Sequence, residues 1–572
     1  MARAKLAKVS VEKLKKEIGR RRRALAIFTA RRGTSSFQID ELEALGAVRT
    51  AVSCGEKAGG RIVILIAALL AAGTAFASDS HVAEAVRPLL LEKAGEERML
   101  PERILGASAE ATTEHLMSDP AKVAAIKSVA PALVRFPGGS QSNFYNWRIG
   151  QIEVEVSPEN SKYMHFWANA AANIRRGIPE GTSIEEYADF GKRIGAEIVL
   201  VPNLETSTVA DQVAWFRRMK EEGIVPRYIE LGNEFWIAMG YDPDSLKRWP
   251  DEPSSMEIMK RYADALRPFL PPGAKLAVQA SGAEFHNLPA HPIGWRNKRL
   301  RQWDNDLKPA PWFDAVTIHL YPRTNQLMGE TDASAGFKDP AQSIRLFHAL
   351  MAHADEGTDR ALDDVIRRVP GKEIWVTEWN TRGGDYEQLE QPAPGMMAQL
   401  VARTIFAYLR HPEVTMSLFF TLNFHHRITR NVFAGSDSGG FELTPLTVAL
   451  KWLDEAANGG ANYQRFVEPG ARVIPGGGKV NEGYRAVEAG LFRAPGVTTL
   501  IIQNCSPEPR SFAIPESFSG QPPSEIQTLS TPRLASDEWS DPIRRPIEPG
   551  AAVQIPPWSL TRVLWTKHAL NE

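Results

Sequence analysis

Two short apolar runs end on carboxylates. Y-I-E-L-G-N-E-F-W, Tyr228 to Trp236, reads as a buried strand that stops on Gly-Asn-Glu, and I-W-V-T-E-W-N, Ile374 to Asn380, closes on Glu378 with Trp379 and Asn380 behind it. If both tips open on one cavity, Glu234 and Glu378 make the carboxylate pair that glycoside hydrolysis uses. One attacks the sugar and the other protonates the leaving oxygen. In the retaining form the two groups stand about 5–5.5 Å apart. Two such neighbours cannot comfortably both ionise, so the acid is expected to titrate nearer neutrality.

Whether the tips meet depends on the elements that hold them. From about residue 103 the chain alternates apolar strands with amphipathic helices. Strand-like runs occur at 104–106, 132–136 and 197–201, in the Tyr228 segment, and at 275–282, 313–322, 373–378 and 414–422. Near-continuous apolar strands fit a parallel sheet buried on both faces. Eight of them close naturally into an α/β (β/α)8 TIM barrel, with an open doubly wound sheet as the alternative. Ser183 and Glu186 form a capping box, and Thr444-Pro445 reads as an N-cap followed by proline at the first helical position. Val209, Val213, Phe216 and Met219 fall on one helical face. In a barrel all strands point their C-terminal ends at the face that carries the chemistry. Glu234 ends the fourth strand and Glu378 the seventh, so both reach that face.

The neighbours fit the same chemistry. His319 and Tyr321 lie two apart on the sixth strand and point the same way, beside Glu378. A tyrosine hydroxyl there could hold the nucleophile ionised, and Arg135 on the second strand could do so by charge. His319 reads equally as a satisfied core histidine. Glu230 shares the face of Glu234 at greater depth and reads as a structural ion-pair partner for an arginine. His425 and His426 would face opposite ways on a strand and make a poor chelating pair. No metal and no other cofactor is expected.

Composition bounds the rest. The 572 residues are 43% hydrophobic and 24% charged with a net charge of −1, so nothing draws the chain to nucleic acid. Two cysteines, Cys54 and Cys505, build neither a disulfide framework nor a cysteine metal site. Residues 61–77, R-I-V-I-L-I-A-A-L-L-A-A-G-T-A-F-A, have the form of a signal peptide cut after Ala77. The run is short for a membrane span, and no stable membrane insertion is expected. A secreted or periplasmic location follows. Residues 1–60 form a basic extension, read either as untranslated, with the start near residues 48–62, or as a cytoplasmic arm. Residues 78–102 read as a linker or short N-terminal segment, 103–458 as the catalytic barrel and 459–572 as an all-β sandwich. In the last region helical periodicity stops and turn signals such as Pro507-Glu508-Pro509 recur.

These residues resemble clan A glycoside hydrolases over roughly 103–572. L-G-N-E-F (Leu231 to Phe235) is similar to that clan's acid/base motif, V-T-E-W-N (Val376 to Asn380) to its nucleophile motif and I-H-L-Y-P (Ile318 to Pro322) to its sixth-strand motif. R-F-P-G-G-S-Q-S-N-F-Y-N-W (Arg135 to Trp147) most resembles the second-strand loop of family 51 arabinofuranosidases. L-T-P-L-T-V-A-L-K-W (Leu443 to Trp452) resembles that family's last barrel helix, which leads into a β-sandwich. The nucleophile segment is equally like family 39, which includes β-xylosidases, and family 79 glucuronidases share the architecture. The resemblance implies Glu234 as acid/base, Glu378 as nucleophile and Asn233 as holder of the sugar 2-hydroxyl. It implies sugar contacts for Arg135, Asn143, Trp147, His319, Tyr321 and Trp379. Ser140 stands where family 51 usually has asparagine, and Phe235-Trp236 where small or acidic residues are common. Both departures lie in the sugar subsite and leave the sugar open. The expected partner is an oligosaccharide or polysaccharide, cleaved by a retaining enzyme of arabinofuranosidase, β-xylosidase or β-glucuronidase type. A non-catalytic carbohydrate-binding barrel is the alternative.

Overall fold

In a computed structural model the described residues are 86–566, apart from 110–111, 113–115, 283–294, 325–326, 328–339, 382–391, 423, 425–431, 436–439, 471, 474–482, 519–520, 531–540 and 546–551. The basic extension, the signal-like run and His425-His426 lie outside the described residues.

Eight parallel strands close into a barrel in chain order: β1 (Leu105–Ser108), β2 (Leu133–Phe136), β3 (Glu197–Leu200), β4 (Tyr228–Glu230), β5 (Lys275–Gln279), β6 (Ala315–Leu320), β7 (Glu373–Trp379) and β8 (Val414–Phe420). The floor of the interior is apolar and filled: Leu133, Val199, Ala277, Ala315, Trp375 and Leu418 pack there without exposure. Polar side chains begin only one layer above them. The outer helices start where the sequence places their caps. Ser183 and Glu186 satisfy each other's backbone donors at the head of Ile184–Ile194, and Asp119 caps Pro120–Val129. Thr444 precedes the helix Pro445–Ala457, but its hydroxyl bonds the Val432 carbonyl instead of capping. Phe216 and Met219 of Val209–Glu221 are buried, together with Trp215. A further helix, Lys162–Gly177, capped by Ser161, lies between β2 and β3.

Beyond the barrel, β9 (Asn462–Val467), β10 (Val487–Ala494), β11 (Val497–Asn504), β12 (Glu525–Ser530) and β13 (Ser559–Thr566) form an antiparallel sheet ordered β9-β10-β11-β13-β12. A second sheet joins Arg87–Pro88, Arg510–Phe512 and Val553–Ile555. Leu89, Phe466, Leu491, Ile502, Phe512, Val553 and Val563 pack together as the core of this domain. Part of the 78–102 segment therefore belongs structurally to the C-terminal domain: Arg87–Pro88 pairs with Arg510–Phe512, and Glu92–Lys93 and Arg98–Met99 pair with β9. Barrel and β domain meet at a buried pair, Arg403 to Glu488 at 2.6 Å, with no exposure of either side chain. Among the described residues no helix is long and apolar enough to cross a membrane.

Candidate active site

A β-bulge decides which side chains of β7 reach the interior. β6 and β7 pair one to one from Ala315 with Glu373 to Ile318 with Val376, and then His319 faces Glu378. On the other side Val376 pairs with Ser417 and Trp379 with Phe419, three steps against two. An extra residue in a strand breaks the two-residue alternation and re-aims its neighbours. Thr377 and Glu378, adjacent in the chain, both address the interior as a result. The Thr377 hydroxyl donates to Glu230 Oε1 at 3.0 Å, and Glu378 meets Arg135 and Tyr321.

The same alternation corrects the expectation for Trp379. Its ring turns away from the carboxylates and packs edge-on against Tyr408 and Phe419, with centroids at 5.6 and 5.2 Å. The residue is 3% exposed, so it offers no face for a sugar to stack on.

Beneath the carboxylates one guanidinium gathers three groups. Arg135, fully buried on β2, donates to both oxygens of Glu230 at 2.7 and 3.0 Å. It also donates to Glu378 Oε1 at 2.6 Å and to Asn233 Oδ1 at 2.8 Å. The planar fork of arginine makes this possible, and a lysine could not reproduce it. Burial raises the Glu230 carboxyl, but Arg135 and His319 outweigh it and hold Glu230 below its ordinary value. Burial also raises Glu378, opposed by His319 and Arg135 and by the Tyr321 hydroxyl, which donates to Oε2 at 2.7 Å. Burial and the neighbouring Glu234 charge together leave Glu378 above its ordinary value.

Glu234 stands across from Glu378 on the segment after β4. Its backbone is left-handed, φ 51° and ψ 42°, a conformation that non-glycine residues adopt at a cost of about 1–2 kcal/mol. Gly232 permits the turn before it: φ is +81°, and a Cβ there would sit 1.9 Å from the Phe235 ring. His319 joins the two halves of the site. Nδ1 lies 3.0 Å from Glu234 Oε1 and 3.6 Å from Glu378 Oε2, and Nε2 lies 3.1 Å from the Thr377 hydroxyl. Burial disfavours the imidazolium, but Glu378, Glu230 and Glu234 overcome it and push the ring up to about 10. The three glutamates thus favour the imidazolium, and both of its nitrogens have partners.

That shift fixes a sign for stability. A group raised on folding contributes stability in full below its unfolded value of about 6.5, and the contribution disappears as pH climbs through about 10. Urea unfolding between pH 6 and pH 10 should therefore show a steeper loss of stability for the native protein than for His319→Gln. Equal losses would reject the assignment of charge to His319.

The remaining expected contacts divide. Asn233 is buried, its Oδ1 is taken by Arg135, and its Nδ2 has no partner among the described residues. Asn143 is also fully buried, and its amide donates to the Asn233 carbonyl at 2.9 Å, so it holds Asn233. Trp147 is not brought to the carboxylates. It is half-buried at the N-terminus of the helix Val209–Glu221, with its indole N–H on Asp211 at 3.3 Å and the Arg148 guanidinium 4.3 Å above its ring. Sequence reading missed Thr377, which lies two residues after the inward Trp375 and so points inward by alternation. It also missed Gln279, whose Oε1 accepts from the Phe235 N–H at 3.0 Å. Gln279 is the one polar residue in the core of the L-A-V-Q-A run, and that was the available signal.

Glu234, His319 and Glu378 offer donor atoms that all lie within 4.8 Å of one another. Arg135 already occupies one Glu378 oxygen and Tyr321 the other, and a charged His319 offers no lone pair.

The fold is shared with known glycosidases. At 16% identity and TM-score 0.57, the GH51 arabinofuranosidase from Xanthomonas axonopodis pv. citri superposes over 82% of this chain and 97% of its own. AbfB, a family 51 α-L-arabinofuranosidase from Bifidobacterium longum, superposes at 14% identity and TM-score 0.56, over 84% of this chain and 99% of its own. A Paenibacillus polymyxa xyloglucanase of family 44 does so at 12% and 0.51, over 82% and 98%. No family model matches the sequence, and no curated protein matches it. At these identities the likeness establishes the shared barrel and β-domain architecture and no more.

Proposed function

We propose that the chain is a retaining glycoside hydrolase with Glu378 as nucleophile and Glu234 as acid/base. The observation that carries this reading is the spacing: oxygens of the two glutamates lie within 4.8 Å of each other. Retention needs carboxyl groups about 5–5.5 Å apart, whereas inversion needs about 6.5–9.5 Å to admit a water between them. Glu378 attacks the anomeric carbon while Glu234 gives its proton to the departing oxygen, leaving a glycosyl ester on Glu378. Water then enters, Glu234 takes its proton, and the ester is cleaved with the original configuration restored. The Asn233 amide, with its donor unpaired among the described residues and its position fixed by Arg135 and Asn143, is placed to bond a sugar hydroxyl.

The glycosidases that share the fold include arabinofuranosidases, and an α-L-arabinofuranoside is the first substrate to try. Export rests on the signal-like residues 61–77 alone. The test uses protein from Ser78 onward on aryl α-L-arabinofuranoside, β-xyloside, β-glucoside, β-glucuronide and β-galactoside, with the product anomer read by NMR at early times. Turnover of one of them with retained configuration is expected. Inversion, or silence on the whole panel, would overturn the reading.

Tyr321→Phe removes one charge-assisted hydrogen bond from Glu378, worth about 1.5–3 kcal/mol. kcat/KM should fall roughly 10–150-fold. Because the lost bond favoured the ionised carboxylate, the acid limb of the pH profile should move to higher pH. An unshifted acid limb would detach Tyr321 from the nucleophile.

A further inference from the structure

The segment that carries Glu234 is bent against its own preferences. Glu234, Ala238, Met239 and Tyr241 all have positive φ without being glycine, and the chain leaves the barrel through a single 3-10 turn, Phe235–Ile237. A run of left-handed residues persists only where its surroundings over-determine it. On the strand side Gln279 holds the Phe235 N–H and Asn143 holds the Asn233 carbonyl. Neither reaches the carbonyls that follow Glu234.

Arg299 does. It belongs to the helix Trp295–Asp306, which follows β5. Its Nε donates to the Trp236 carbonyl at 2.9 Å and its Nη2 to the Phe235 carbonyl at 3.3 Å. The same guanidinium donates to the carbonyls of Trp249 at 2.5 Å and Pro250 at 2.7 Å. It thereby ties the start of the excursion after β4 to the point where the chain returns. Between these two ends Phe235 and Trp249 stack at 3.7 Å with planes 9° apart. Among the described residues no carboxylate lies within ion-pair distance of Arg299. Its charge is spent on four backbone dipoles, all of them in one loop. A residue that only stabilised the helix surface would gain more from Asp or Glu.

We infer that Arg299 is a positioning residue for Glu234, a strap that fixes the loop so that the acid/base carboxyl stays against His319 and opposite Glu378. The inference rests on the glycosidase reading above. It predicts damage to the two steps that use Glu234, which in kcat/KM appears only where departure of the leaving group needs its proton. A methyl glycoside needs acid assistance to leave, whereas a 2,4-dinitrophenyl glycoside does not.

The experiment measures kcat/KM on these two glycosides of the sugar accepted in the panel, for Arg299→Ala and Arg299→Lys. Arg299→Ala should lose on the order of 10²-fold on the methyl glycoside and no more than about threefold on the dinitrophenyl glycoside. Arg299→Lys, which can reach some of the carbonyls, should fall between, and it decides the matter if the alanine variant does not fold. Equal losses on both substrates, or no loss on either, overturn the inference. Hydrogen exchange gives a readout that needs no turnover: amide exchange across 233–241 should quicken at least about tenfold in either variant. Unchanged protection there also overturns it. Native protein silent on every glycoside defeats the glycosidase reading, and the exchange result then stands or falls alone.

Discussion

Glu378→Ala is expected to lower kcat/KM by at least about 10⁴-fold on every substrate, activated or not, because the oxygen that forms the glycosyl ester is gone. Glu234→Ala should behave differently. It should lose roughly 10²–10⁴-fold on poor leaving groups but still form the ester from a dinitrophenyl glycoside, whose leaving group needs no proton. That ester would accumulate, seen as a burst of dinitrophenolate, because the base for its hydrolysis is gone. Added azide, which attacks without a base, should restore turnover and give a glycosyl azide of retained configuration in Glu234→Ala only. The asymmetry assigns the two roles. Azide rescue of Glu378→Ala with retention, or a burst in that variant, would reverse the assignment.

Removing Arg135 should have the largest effect on stability. The side chain is unexposed and pairs with Glu230, also unexposed, and with Glu378, whose side chain is 7% exposed. Breaking a buried pair by deleting one partner costs about 3–5 kcal/mol, because a charge is left uncompensated. Arg135→Met should therefore lower the unfolding free energy by that amount, read as a lower denaturant midpoint at unchanged slope. Glu378 would lose one of its cations, so any residual activity should retreat to higher pH. Glu230→Gln in the Arg135→Met background should recover part of the stability, since it removes the orphaned charge, and the double-mutant cycle would report a coupling well above 1 kcal/mol. Independent, additive effects would mean that the pair is solvated and that Arg135 is not the organiser of the site. Arg135→Lys tests geometry apart from charge. It keeps a cation but cannot serve Glu230, Asn233 and Glu378 together, and it should lose activity while recovering some stability.

Much of this molecule was legible without coordinates, for reasons that are local. The eight strands announced themselves because strands buried on both faces must be apolar, and the capping box at Ser183 and Glu186 because a helix end needs its donors satisfied nearby. Glu234 and Glu378 stood out because carboxylates at apolar strand tips have no packing rationale, and the barrel then supplies one face for both. Glu230 as the partner of an arginine followed from its depth on the same strand, and the arginine is Arg135. Tertiary structure alone decided the rest. The bulge in β7 depends on the registers of β6 and β8 together, and it turned Glu378 inward and Trp379 outward, against a simple alternation. The left-handed backbone at Glu234 and its strap from Arg299 join residues whose only relation is proximity in the folded barrel. The strands of 87–99 join sheets built from the far end of the chain. Local propensity and period write themselves into neighbouring residues. Register, hydrogen bonds across the barrel and pairing between distant segments do not, because each is fixed by partners that a short window of sequence never contains.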